Sequence, residues 1–294
     1  MTVSRITQSS MGKQVVDNLT SSLTRLQKIQ DQLSSGKRIG RPSDEPAGAV
    51  LSLRLRSSLD RNAQYARNLT DGKGWLDLAD SSIQSASNQL TRARDLLVQG
   101  ISSGSSSSRN ALSGEVVQIR NGLVQVANTR FQDRPIFAGT AGTATAYDAS
   151  GAYVGDSGSI ERNVAPGITV RVNADASAVF GSGANSVFTL LGQAATHLAA
   201  GDTAALQSDL AAVDTALGRM NSALSDVGAR ANRLESLQSQ NQSDEVNLKS
   251  TLSETEDVDI TKTIMDLQLQ QNAYQAALGA TARVIQPSLI DFLR

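Results

Sequence analysis

The chain has 294 residues, a formal net charge of −1, no cysteine, and 3% aromatic against 39% hydrophobic residues. Near-neutrality gives no bulk electrostatic grip on nucleic acid or an acidic membrane, and the lack of Cys excludes disulfides and thiolate metal sites. So few rings favour cores of Leu, Val, Ile and Ala in long helices over a ring-lined cofactor pocket.

In chain order, the opening MTVSRITQSSMGKQVVDNL lacks the apolar run of a secretory signal, and no later run reaches the length of a membrane span, so export by the general route is not expected. Val15, Leu19, Leu26, Ile29 and Leu33 then form a stripe at helical spacing. LSSGKRIGRPSDEPAGAV follows at 33–50. Gly36 is placed to stop the first helix, Asp44 or Ser43 to cap the next, and Pro46 to sit in its first turn, which reads as a hinge built on Gly36, Pro42, Asp44 and Pro46.

The five prolines stand at 42, 46, 135, 166 and 287, leaving two long windows free of helix breakers. In the first, Leu55, Asn62, Leu69, Leu76, Ile83, Leu90 and Leu97 keep a seven-residue repeat in phase through Asp71-Gly72-Lys73-Gly74. A break would reset the phase, so one continuous helix with a soft point is expected. ISSGSSSSRN ends it at 101–110, and Leu112, Val116, Ile119, Leu123 and Val126 make the return helix. Residues 135–186 change to a Gly-rich character, with PIFAGT, SIERNV and GITVRVN expected as strands. A helix restarts near Val187.

The second window repeats Leu206, Leu210, Val213, Leu217, Met220, Leu224, Val227, Ala231 and Leu234, then Gln238, Asn241 and Glu245, with Asp202 as its N-cap. The two repeats are of similar length, roughly 70 Å at about 1.5 Å per residue, and suit side-by-side packing. The polar positions are expected to form a register-fixing layer or a seam open to water or another subunit. At the C-terminal end Ile260, Ile264, Leu267, Gln271, Tyr274, Leu278, Thr281 and Ile285 mirror the N-terminal stripe. Two paired helices leave much of each stripe uncovered, which points to ordering against neighbouring copies.

The fold class expected is mainly α: a long antiparallel coiled-coil rod of heptad helices, a small β-rich insertion, and terminal assembly helices. The expected division is 1–43 (assembly helix and hinge), 44–134 (first half of the rod), 135–186 (insertion), 187–254 (second half) and 255–294 (C-terminal assembly helix). Leu19, Leu26, Ile29, Leu33, Ile260, Ile264, Leu267, Tyr274, Leu278 and Ile285 are the expected assembly interface.

No catalytic constellation is expected. The single histidine, His197, supports no triad and reads as structural. Ser34-Ser35-Gly36-Lys37 is similar to the end of a phosphate loop, but the first Gly is missing and Arg38 stands where a hydroxyl is needed. Glu254, Glu256, Asp257 and Asp259 precede a helix, where carboxylates cap amides more readily than they hold a cation. Neither cofactor nor metal is expected, nor a nucleic-acid or membrane partner.

Taken together, LSSGKRIGRPSDEPAGA, ANTRFQDRPIFAGT, LSETEDVDITKTIMDLQLQQNAYQAAL and PSLIDFLR resemble the flagellin superfamily. Within it, Pro42-Ser43-Asp44-Glu45-Pro46, Ile136-Phe137-Ala138-Gly139-Thr140 and Ser288-Leu289-Ile290-Asp291-Phe292-Leu293 are similar to the hook–filament junction branch rather than to filament flagellin. Asp133-Arg134-Pro135 departs from the family's more usual Gly-Arg-Tyr. The resemblance implies a non-enzymatic, extracellular flagellar subunit exported through the type III channel. Its implied partners are copies of itself, the other hook–filament junction protein, flagellin, and a cytoplasmic export chaperone contacting residues near 260–294. Filament flagellin is the alternative.

Overall fold

A computed structural model describes residues 8–285, with side chains from 12 to 282; the closing SLIDFL motif and the side chain of Ile285 lie outside the described residues. The chain is mainly helical and divides into two compact units, 1–60 with 245–294, and 61–244. Its helices are α1 Gln8–Ser35, α2 Pro46–Ser102, α3 Ser106–Ala127, α4 Ala176–Phe180, α5 Val187–Ala200, α6 Thr203–Glu256 and α7 Ile260–Ile285.

The larger unit is built on the expected repeats. Leu69, Leu76, Ile83, Leu90 and Leu97 of α2 are buried with Leu206, Val213, Met220, Val227 and Leu234 of α6 in one core, to which α3 adds Leu112, Val116 and Leu123. The α2 and α6 segments of this unit run antiparallel, as two fixed points show. Near one end Asn62 and Asn241 exchange side-chain to backbone bonds, Asn62 Nδ2 donating to the Asn241 carbonyl at 2.9 Å and Asn241 Nδ2 to the Asn62 carbonyl at 3.1 Å. Farther along, Arg94 Nε meets Asp214 Oδ1 at 2.6 Å. Of the three polar positions, Asn241 thus forms a closed, buried pair with Asn62 that fixes register, whereas Gln238 and Glu245 are half-buried. Helix α3 packs on α5, where Ser113 Oγ donates to the Ala195 carbonyl at 2.7 Å.

Helix α2 passes through Gly72 and Gly74 unbroken, and the reason is contact. A Cβ on Gly72 would lie 2.9 Å from Val172 and 3.2 Å from Leu234, and one on Gly74 would lie 2.9 Å from the Phe131 ring. Each Gly costs about 1 kcal/mol in a helix interior, offset here by the seat it makes for the insertion.

Two short antiparallel hairpins follow α3, the first leading into the insertion and the second within it. β1 Arg130–Phe131 pairs with β2 Arg134–Pro135, and β3 Glu161–Ala165 with β4 Ile168–Arg171 around Pro166-Gly167. SIERNV and ITVR are strands as expected, but PIFAGT is not one beyond Pro135. Ile136, Phe137 and Ala138 are all buried in succession, so the segment fills the core as a turn where a strand would alternate. The ring cluster of Phe137, Tyr147, Phe180 and Phe188 forms the insertion's own core. The β1–β2 turn places Gln132 and Asp133 at φ +46° and +63°. Asp133 thus occupies a left-handed position that Asp tolerates and that suits the Gly more usual there.

Asp202 caps α6 as expected, its Oδ1 accepting from the Ala205 amide at 3.0 Å. His197 Nδ1 lies 2.7 Å from Oδ2 of the buried Asp209, so its ring is tied within the helical packing.

Candidate assembly region

The smaller unit contains both terminal helices and the two segments that connect them to α2 and α6. Along α1 the positions facing α7 run Val15, Leu19, Ser22, Leu26, Ile29 and Leu33, with Ser22 buried and the others half-buried. Along α7 the matching positions are Thr263, Leu267, Gln270, Tyr274, Ala277 and Thr281. Gln270 Nε2 donates to Ser22 Oγ at 2.8 Å, placing a polar layer in the middle of this seam.

This seam shares Leu267, Tyr274 and Thr281 with the expected C-terminal stripe but omits Ile260, Ile264, Gln271 and Leu278. Those four face outward. Ile260 is 57% exposed, with Ile264 and Leu278 on the same side, and Leu269, round the helix from them, is 70% exposed with Met265; Val16 and Leu23 are exposed on α1. Helix α7 carries apolar residues on two faces, and a single partner helix covers only one of them.

The segment at 36–45 is a closed clip. Gly36, at φ +70°, follows the last residue of α1, and Pro46 is the first residue of α2, as the sequence predicts. Asp44 does not cap α2, because the helix starts one residue too late for it. Instead its N–H donates to the Arg41 carbonyl at 2.9 Å and its Oδ2 accepts from the Arg41 amide at 2.9 Å, closing a turn with Pro42 at its second position. Its other oxygen meets Lys28 Nζ at 3.0 Å, and that hydrogen bond, with the Arg41 amide, holds the carboxyl below its ordinary range.

Residues 36–38 and 256–258 form a short antiparallel bridge. The Arg38 amide donates to the Glu256 carbonyl at 2.7 Å and the Val258 amide to the Gly36 carbonyl at 3.0 Å. Side chains reinforce it. Glu256, 6% exposed, receives both Lys37 Nζ, at 2.7 Å, and the Arg56 guanidinium. The hydrogen bond from Arg56 first, then that from Lys37, lowers the Glu256 pKa against the opposing effect of burial, and the same pairing raises that of Arg56. Arg38 reaches the Thr255 carbonyl at 2.6 Å and pairs with Glu45.

The acidic group before α7 therefore divides. Asp259 caps the helix, its Oδ1 accepting from the Lys262 amide at 3.0 Å, whereas Glu256 anchors the clip. Nothing in the spacing of Lys37, Arg56 and Glu256 announces their meeting, because they come from three separate segments. Among the described residues no cluster of His, Asp or Glu is placed to hold a metal ion, and no helix is long and apolar enough to cross a membrane.

Residues 6–142 match the family described as the bacterial flagellin N-terminal helical region, and residues 210–293 that described as the bacterial flagellin C-terminal helical region. The chain is 27% identical over 299 residues to the flagellar hook-associated protein 3 of Salmonella typhimurium, covering 93% of this chain and 94% of that one. It is 25% identical over 295 residues to the flagellin of Bacillus subtilis, covering 96% of each. The crystal structure of FlgL from Bacillus cereus shares its fold, with a TM-score of 0.60 at 24% identity, over 68% of this chain and 99% of that one.

Proposed function

The chain belongs to the flagellin family, and on that premise we propose that it is the structural subunit joining hook to filament in the bacterial flagellum. The observation that carries this is similarity to a hook-associated protein 3 over nearly the whole of both chains. The turn and first helical residue made by Pro42-Ser43-Asp44-Glu45-Pro46 support it, because that stretch resembles the junction branch more than filament flagellin.

In this reading the outward residues of α1 and α7 are the assembly surface: Ile260, Ile264 and Leu278 meet neighbouring subunits, while Leu19, Leu26, Ile29, Leu33, Leu267 and Tyr274 hold the helix pair together. The stretch from Gly36 to Pro46 is the joint between the assembly helices and the rest of the chain, and the clip holds it closed in the monomer. The subunit leaves through the flagellar type III channel, with a cytoplasmic chaperone on the C-terminal region beforehand. It then contacts copies of itself, the other hook–filament junction protein and flagellin. The full-length likeness to a flagellin supports the alternative of a filament subunit.

Reconstitution separates the two. Purified chain added to isolated hook–basal bodies should bind the hook tip in a short zone and stop, and flagellin should then extend from it. Growth of the chain alone into filaments would overturn the proposal in favour of flagellin.

A further inference from the structure

The insertion and the start of α5 enclose a cavity of about 510 Å³. This volume lies within the ~300–1,000 Å³ range of small-molecule sites. It is lined by Tyr147 and Tyr153, by the hydroxyl residues Ser150, Ser182, Ser186 and Thr189, and by short stretches of glycine-rich backbone. Two guanidinium groups stand just behind this lining, Arg120 donating to the Ser150 carbonyl and Arg219 Nη2 to the Asn185 carbonyl at 2.9 Å.

Tyr153 is 38% exposed, yet its hydroxyl is held between the carbonyls of Phe137, at 3.1 Å, and Asp156. Its ring leans on Tyr147 with centroids 5.2 Å apart. It is thus a fixed aromatic surface at the edge of the cavity. The hydroxyls of Ser150 and Thr189 already donate, to Asp148 Oδ1 at 2.6 Å and to the Gly183 carbonyl at 3.2 Å. Their lone pairs remain able to accept. Ser186 stands at the N-cap of α5 but makes no capping bond, and its Oγ is buried without a partner.

We propose that this cavity is a binding site for a neutral carbohydrate ring. A pyranose presents an apolar C–H face to an aromatic surface and a rim of hydroxyls that both donate and accept. The lining provides a ring and acceptor hydroxyls, and the guanidinium groups behind its wall are directed at backbone carbonyls, Arg120 at those of Phe188 and Ser150 and Arg219 at that of Asn185, rather than left for a phosphate or a uronic acid.

The test is saturation-transfer NMR on the full-length monomer with methyl glycosides of neutral hexoses and N-acetylhexosamines, with inorganic phosphate and a methyl uronate as comparators. At least one neutral glycoside should bind at millimolar affinity or better. Tyr153→Ala should weaken it about tenfold, the equivalent of one aromatic contact. Ala152→Trp, at an exposed lining position, should block the cavity and abolish binding with the ring cluster intact. If Tyr153→Ala shifts thermal unfolding followed through Trp75, the Ala152→Trp comparison decides. Absence of glycoside binding, binding of phosphate or the uronate alone, or equal binding by wild type and Ala152→Trp would each overturn the proposal.

Discussion

Glu256 is the residue on which the clip depends. It is buried, it faces Lys37 and Arg56, and its carbonyl accepts from the Arg38 amide. Because its pKa is lowered in the folded chain, the stability it contributes is complete above its unfolded value of about 4.3 and is lost as pH falls through the folded value. Hydrogen exchange at the Arg38 and Val258 amides, corrected for intrinsic rate, should therefore lose protection below about pH 4 in the wild type. Glu256→Gln should lower that protection at neutral pH and remove its acid dependence. Arg56→Met should cost about 1–2 kcal/mol of local stability at neutral pH, since Lys37 remains to face the carboxylate. An unchanged acid profile in Glu256→Gln would show that the clip rests on its backbone bonds alone. Gly36 ends α1 and Pro46 opens α2 as the sequence predicts, because glycine alone enters positive φ without cost and proline presets the helical φ, both local properties. Sequence reasoning misassigned Asp44 and missed Glu256 because a cap depends on the residue where a helix starts, and an ion pair across some 200 positions leaves no local trace.

At the scale of elements, periodicity was the strongest signal and also the source of the main correction. The long helices α2 and α6 follow their heptads through glycines and through polar positions, because those repeats bury the same face against the same core over many turns. In α7 the repeat is ambiguous by one residue: Ile264 and Leu278 compete with Thr263 and Ala277 for the inner face. Apolarity favours the first set, but the α1 seam takes the smaller one, with Gln270 on Ser22. The PIFAGT segment failed for a related reason, since a run of buried residues carries no period of two. The Asn62–Asn241 layer gives this scale its test. Asn241→Leu alone should destabilise the larger unit by about 1–3 kcal/mol, because it removes the Asn241 Nδ2 donor from the backbone carbonyl and the side-chain Oδ1 of Asn62, while Asn62 Nδ2 keeps the backbone carbonyl of residue 241. Leu at both positions should recover most of that loss, at the expense of unique register. Thermal unfolding read through Trp75, the chain's one tryptophan and buried in the same unit, measures both. Additive losses in the double variant would mean that the pair contributes through something other than mutual satisfaction.

At the scale of the whole molecule, the division of labour follows from what each unit can bury. Residues 61–244 enclose a continuous core of helices and insertion, while the terminal helices pair on one face and leave Ile260, Ile264, Met265, Leu269 and Leu278 to solvent. A subunit that is complete in the middle and incomplete at its ends suits ordered polymerisation, and the family membership supplies the structure in which that occurs. The choice between junction subunit and filament subunit is made in the cell. Electron microscopy of a strain lacking this chain should show hooks without filaments, with flagellin lost to the medium; filaments of normal length on every hook would contradict the junction role.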